Sequence, residues 1–513
     1  MNNGNENKCV VVTKKVSKTL NDGTKLVVRK VRSFGEKRFG KVKGTYILAG
    51  IFCVFVLLLG IKLFGGKTID YPVVYNSSEG DLYLLGVQDK DSEKSVKLAR
   101  KESTSNVVYA NTSDRYVLFQ KEQNLYLYDA KNKEQTVKIM DNIEEFYFTE
   151  DDKFIIGLDS SRSLLVYNYK DTVKLDADVS SLYILSKDRV VYEKEGKVYV
   201  RSIHPKKDDR KKITEEYDSN IQFSEDGSRI LYLSNEKDLY SYNIKKDKNE
   251  RIASKVSAYY CGSDACKKLF YVETDDGKNI YYYDGKDSTK VASDIHSLHA
   301  SDVAAKRVVY SMITEGKYNL YYMQVGESAV AIEENLTSIK TVRIYEGKEI
   351  YYITGKNEAK YVDIKGAKIG KVRDLASDVT GYFQAYKDGY AFVGDISKGS
   401  SGTLYMVSHG RVKKIDENVN ANILTVNKDG DKIYYLKDYK TTGNLFVTSG
   451  GKSKKIDDDV YTLEYVKDNL IYYIKDYTTS KSRGDLYRYT GKSMKIAEDV
   501  TKLANPPVVY TVD

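Results

Sequence analysis

A period of about forty residues, repeated from residue 71 to the C-terminus, restricts this chain more than any other feature. A short run ending in Leu-Tyr or a close equivalent recurs as GDLY (80–83), NLY (124–126), SLL (163–165), KVY (197–199), DLY (238–240) and NIY (279–281). It goes on as NLY (319–321), AKY (359–361), TLY (403–405), NLF (444–446) and DLY (485–487). Successive centres (82, 125, 164, 198 and onward to 486) are 34 to 44 residues apart. A second marker keeps the same step. It is a basic and apolar run closing on an acidic turn and an aliphatic residue, as in VKIMDNI, VKLDADV, KVASDI, VRDLASDV, KKIDENV, KKIDDDV and MKIAEDV. Two unrelated signals with one period define a repeat architecture. Its length and its lack of a 3.6-residue pattern exclude leucine-rich repeats and helical solenoids.

Each unit holds four strand-like runs. In the unit from Val460 they are YTLEYV, LIYYIKDY, DLYRY and SMKIAEDV, separated by turns rich in Gly, Asp, Asn and Lys. The second run (LIYYI, KIYYL, EIYYI, RILYL, RVVYS) is apolar or Tyr at almost every position, which indicates a strand covered on both faces. Four strands per unit, repeated radially, is the arithmetic of a β-propeller, so the chain reads as all-β. Tyrosine supplies 47 of the aromatic residues against 14 Phe and no Trp; it suits a pleated surface and is read mainly as packing between blades. Eleven units exceed the roughly four to eight blades usual for one ring. The expectation is two propellers, over residues 71–295 and 296–513, with one oversized ring as the alternative. The first unit starts one strand short, and TKLANPPVVYTVD (501–513) offers strand beyond the last unit. Pairing the two ends would close the array and remove exposed edges.

The segment IQFSEDGSRILYLSNEKDLYSYNI (221–244) resembles the TolB/WD40-like propeller repeat, whose core is an aromatic-Ser-Pro-Asp-Gly turn between two strands. LTVNKDGDKIYYL (424–436) is a weaker copy. Glu225 stands where the family usually has Pro, and the Trp-Asp pair of true WD40 repeats is missing. Other units resemble Tyr-rich, propeller-like, membrane-anchored proteins of Gram-positive bacteria. The resemblance covers roughly residues 71–513 and implies the fold, and only weakly a function.

The charge is as unevenly placed as the repeats are regular. Residues 1–44 hold twelve Lys or Arg against Glu6, Asp22 and Glu36, which accounts for the whole formal net charge of +9; the rest of the chain is balanced. A nucleic-acid partner is therefore not expected for the repeats. After the basic tail comes TYILAGIFCVFVLLLGIKLF, from Thr45 to Phe64, whose one charge is Lys62 near its far end. Twenty helical residues at a rise of about 1.5 Å span roughly 30 Å, the hydrocarbon thickness of a bilayer. A cleaved signal peptide fits poorly, because the basic region is long and no small-x-small site follows. A buried core helix has no helical neighbours to bury it. The positive-inside rule then places the tail (1–44) in the cytoplasm and, after a spacer (65–70), the repeats outside the cell membrane as a single-pass signal-anchor protein. Within the tail, Asn21-Asp22-Gly23 signals a hairpin turn that could order on anionic lipid or a cytoplasmic partner.

Few residues advertise chemistry. Cys261 and Cys266 flank Gly-Ser-Asp-Ala in a strand–turn–strand pattern, and facing positions across a hairpin turn can approach disulfide distance outside the cell. Cys9 and Cys53 have no obvious partner. His296 and His299 fall in a turn and strand, where they read as solvated rather than metal-binding. The acidic runs at 150–152, 275–276 and 457–459 invite a calcium reading, but their recurrence favours turn chemistry. No G-x-S-x-G, Walker, G-x-G-x-x-G or H-E-x-x-H motif occurs. No catalytic residue, metal or cofactor is assigned. The reading is a membrane-anchored extracytoplasmic propeller that binds protein or cell-wall glycan ligands. A glycan-active enzyme and a sensor signalling through the tail are the alternatives.

Overall fold

A computed structural model describes residues 73–504, apart from 86–94, 113–114, 130–135, 205–208, 219–220, 262–264, 380–382 and the single residues 225, 276, 388, 428 and 468. The basic tail, the apolar run 45–64 and the spacer lie outside the described residues. Among those described, no helix is long and apolar enough to cross a membrane.

The described chain is antiparallel β-sheet throughout, in eleven sequential units of four strands. The first to eighth span 74–99, 107–140, 143–176, 179–214, 221–253, 256–292, 297–336 and 339–376. The eighth carries an extra two-residue strand, Lys368–Ile369. The last three run together as one ten-stranded sheet, because Arg411–Val426 and Lys452–Lys467 each end one unit and begin the next. The first unit supplies only three strands of its own. Its fourth is Lys502–Leu503 from the far end of the chain, with Tyr75 opposite Leu503 and Asn76 opposite Lys502. The expected pairing of the two ends is present.

Consecutive sheets share apolar clusters. Leu231, Leu233 and Leu239 of the fifth unit pack with Val256, Leu269 and Tyr271 of the sixth. No packing gap marks residue 295, where the sequence reading divides two rings: Phe270, Val272 and Ile280 share a cluster with Ile295, Val308 and Tyr310. The last unit touches the first through Glu464, whose carboxylate accepts the backbone N–H of Leu503.

The acidic-turn marker now has a physical cause. Ten crossings from one unit to the next place a residue in the left-handed region, among them Asn142, Asp178, Asp294, Asp378, Asp459 and Asp499 (φ +46 to +56). Asn and Asp tolerate that conformation best among residues with a side chain. The reversal drives the following aliphatic residue inward, and Val179, Val256, Val419 and Val460 are fully buried. It also aims the backbone at both neighbouring hairpins: Ile143 N–H donates to Gln123 O (2.8 Å), and Asn142 O accepts from Ser160 N–H (2.8 Å). Crossings of this kind staple one sheet to the next.

Much of the tyrosine stacks within sheets, which modifies the expectation that it packs mainly between them. In ten units an aromatic residue on the second strand lies directly opposite one on the third, as in Tyr75–Tyr83, Tyr232–Tyr240, Tyr271–Tyr281 and Tyr473–Tyr487. These four pairs stack at 5.2–5.7 Å with planes within 22°, the cross-strand geometry that most stabilises a sheet. The third unit is the exception. Gly157 faces Leu165, and a Cβ on Gly157 would sit 2.6 Å from Met140 Sδ, so the methionine fills the place of a ring.

Between sheets the tyrosine hydroxyls bind acids. Asp176, Asp416 and Asp457 on outer strands accept from Tyr192 (2.6 Å), Tyr435 (2.9 Å) and Tyr473 (2.5 Å) of the next unit, and from Lys194, Lys437 and Lys475 two residues further along. Burial opposes ionisation of Asp176 and Asp457, but these bonds outweigh it and hold both carboxyls below their ordinary range. The outer strands themselves are exposed and lysine-rich, with pairs such as Lys138–Asp141 and Lys414–Glu417; charged edges resist pairing with other chains.

Two outcomes follow from this architecture. Asp457→Ala should cost about 2 kcal/mol, because the Tyr473 hydroxyl and Lys475 each lose one partner in a largely buried seam, Lys475 keeping Asp458; urea denaturation yielding wild-type stability would contradict the seam. Since the folded carboxyls titrate below their unfolded value of about 4, their contribution is full above that pH and drains away as pH falls through the folded values. Removing residues 501–513 should lower the melting temperature and promote aggregation by stripping the first sheet of a strand; an unchanged melt would contradict the closure.

Candidate functional site

In every unit, loops between second and third strands emerge at the same end as the crossings. Loops between first and second strands emerge at the other. Several of the latter are built alike: the side-chain oxygen of Thr149, Ser224, Asp302 or Asn427 accepts the backbone N–H five residues on, from Phe154 (3.1 Å), Arg229 (3.0 Å), Arg307 (3.0 Å) or Lys432 (2.8 Å). The acidic runs are absorbed by such contacts. Asp152 accepts from the backbone of Asn111 and Thr112 on the preceding unit (2.7 and 2.6 Å), Asp151 pairs with Lys153, and Asp275 pairs with Lys255. Among the described residues, no group of three or more His, Cys, Asp or Glu is placed to hold a metal.

Cys261 and Cys266 are joined as a disulfide across the first loop of the sixth unit, with Cα atoms 5.0 Å apart. The histidines are more firmly held than their sequence context indicates. His299 lies inside the strand Ser297–Ser301, where burial and the neighbouring His296 push its pKa down to about 4, and its Nε2 meets Ser311 Oγ at 2.9 Å. It is a neutral strand residue rather than a solvated loop residue. His296 packs edge-on against Tyr318, and His204 against Phe154.

His409 takes part in the one histidine–carboxylate pair among the described residues. Its Nδ1 meets Glu349 Oε1 at 2.6 Å. Glu349 is buried at the start of the second strand of the eighth unit and also accepts the Tyr351 hydroxyl at 2.7 Å, with the Tyr361 hydroxyl at 3.4 Å. The imidazole stays mostly exposed in a turn of the ninth unit, where His409 has φ +49 and Gly410 presses on the Tyr361 ring. Chemically this is an oriented imidazole on a buried carboxylate. Sequence reasoning missed it, because 60 residues separate the partners and neither sits in a motif.

The crossing face carries a stacked tyrosine group. Tyr461 and Tyr477 stack face to face with centroids 3.6 Å apart and planes within 3°. Their hydroxyls bond one another, which together with burial raises the Tyr461 pKa, and Tyr439 lies near enough to add to the effect. All three rings are half-buried. Their placement comes from a local device used twice. Asp438 and Asp476 each take φ +55 and turn the following tyrosine outward, while Gly443 and Gly484 leave room opposite; a Cβ there would lie 3.2 and 3.1 Å from the Tyr439 and Tyr477 Cα atoms. The repeated Asp-Tyr-x-Thr (438–441 and 476–479) was the available sequence signal. Asp438 is held in turn by Asn418 Nδ2 at 3.2 Å.

The fold is a β-propeller. Similar solved structures include the tricorn protease (13% identity, TM-score 0.28, covering 85% of this chain and 59% of that one) and a eukaryotic initiation factor (10% identity, TM-score 0.41, 85% and 99%). PorZ, a surface component of the type-IX secretion system of Porphyromonas gingivalis, is a third (11% identity, TM-score 0.24, 82% and 63%). This chain thus spans about three fifths of the tricorn chain's length. No protein-family profile matches the sequence, and no curated protein matches it.

Glu349→Ala should destabilise the protein by about 2 kcal/mol, since the buried Tyr351 hydroxyl loses its acceptor while the Tyr361 hydroxyl keeps Asp363. His409→Ala, which removes an exposed ring, should cost under about 1 kcal/mol. Equal losses in chemical denaturation would show that the pair is not built on the carboxylate.

Proposed function

We propose that residues 71–513 form a single closed ring of eleven blades, held outside the cell by the 45–64 span, that binds protein or cell-envelope ligands on its crossing face. The observation that carries this reading is the group of Tyr439, Tyr461 and Tyr477. Partly exposed rings are fixed on loops that left-handed aspartates and glycines pin to a stapled scaffold. Rigid presentation lowers the ordering cost of binding, and tyrosine contributes large contact area with few rotatable bonds. The Ser224–Arg229 turn supports kinship with TolB/WD40-like repeats, because its Ser224 Oγ and Asp226 carboxylate organise the hairpin as that motif requires. The basic charge confined to residues 1–44 supports the cytoplasmic side for the tail.

Protease added to intact cells should remove the repeats and leave the tail protected, and the detergent-solubilised full chain should co-sediment with isolated cell envelope. A protease-resistant ectodomain would overturn the topology. A chain that stays in the supernatant would overturn the binding role.

A further inference from the structure

We infer that Tyr439, Tyr461 and Tyr477 form a carbohydrate subsite that takes the flat face of a pyranose ring in a neutral polysaccharide. This rests on the binding role proposed above and names its ligand class. The axial hydrogens of a pyranose make a flat, weakly positive surface, which complements the negative face of an aromatic ring.

Four features point to this occupant. First, the rings are partly exposed while the large exposed aliphatic side chains of the described residues lie elsewhere, at Val96, Val137, Val303, Ile313, Val412 and Met494; a protein-binding patch would be expected to carry aliphatic anchors beside the aromatic ones. Second, the rim is polar and hydroxyl-rich, with Asp438, Thr441, Thr478 and Thr479 exposed, so ring hydroxyls would find acceptors and donors at the edge of the aromatic surface. Third, the loops carry no excess of basic residues, Asp438, Asp459 and Asp476 standing against Lys440 and Lys481, which suits a neutral ligand better than an anionic one. Fourth, Tyr461 departs from the repeat. The residue two places after the left-handed turn is Ser180, Ser257, Asn420 or Thr501 at four other crossings and Glu144 and His296 at two more, so a tyrosine stands there at this crossing alone among those named. A direct face-to-face pair is also the less favoured aromatic geometry, so it is the loops that hold Tyr461 against Tyr477. The bulge that carries Tyr439 and Tyr477 recurs in the ninth unit at Asp395 (φ +51), but with Ile396 in the tyrosine position. The aromatic version is therefore confined to two adjacent units, a spacing suited to successive residues of one polymer.

Calorimetric titration of the full-length chain in detergent with cellohexaose, chitohexaose and maltohexaose tests the inference. At least one should bind, and Tyr461→Ser and Tyr477→Ala should each weaken it about tenfold. Tyr461→Ser installs the residue other crossings use, and its melting temperature should match wild type, so loss of binding would not reflect unfolding. Failure of all three sugars to bind, or full affinity in Y461S, would overturn the subsite. Capture of a polypeptide that the sugars do not displace would do the same, assigning the rings to protein recognition. Envelope co-sedimentation by Y461S as strong as wild type would remove the subsite and leave the broader binding role standing.

Discussion

Closing the succession of sheets is the constraint on which the other features depend. A blade at either end of an open array would expose one apolar face and one row of unpaired backbone groups, both costly in water. The chain avoids this by lending Lys502–Leu503 to its first sheet, so the two ends of the repeat region are tied through backbone hydrogen bonds. Most internal joints are then alike. A left-handed residue, usually Asp or Asn, and a buried aliphatic residue recur at one crossing after another, with backbone bonds to the neighbouring hairpins. Such a staple ties one blade to the hairpins on both sides of it.

Under the proposed binding role, the recognition face is the crossing face, which the staples brace. Loops on a rigid scaffold can hold aromatic rings at the surface without the sheet paying for it elsewhere, and the tenth and eleventh units use this freedom. At the opposite end the chemistry turns inward. Glu349 and Asp152 are occupied there by tyrosine hydroxyls, His409 and the backbone amides of the preceding unit, while nearer the crossings the seam aspartates are occupied by tyrosine and lysine of the next unit.

The sequence made the fold legible because the fold is local and repeated. Period, strand count and the doubly covered second strand were all readable, since each depends on residues within one unit. The acidic-turn marker was visible as a pattern, though its cause, the positive φ of Asp178 or Asp459, needed coordinates. What stayed hidden was contact between units. Glu349 and His409 meet across 60 residues, and the partner of Asp457 is set by how far the next sheet is rotated, which no local pattern encodes. The tyrosines were misjudged for a related reason. Composition reports how many there are, while register decides that Tyr232 faces Tyr240 within a sheet. For His299, a strand beginning one residue after His296 separates a buried ring from a loop ring, and sequence patterns are least sharp at such boundaries.

Electron microscopy of the purified full-length protein, viewed down the ring axis, addresses the architecture most directly. Eleven spokes around one continuous circle is the predicted image. Two smaller circles side by side, or an arc with a gap between its first and last spokes, would contradict it.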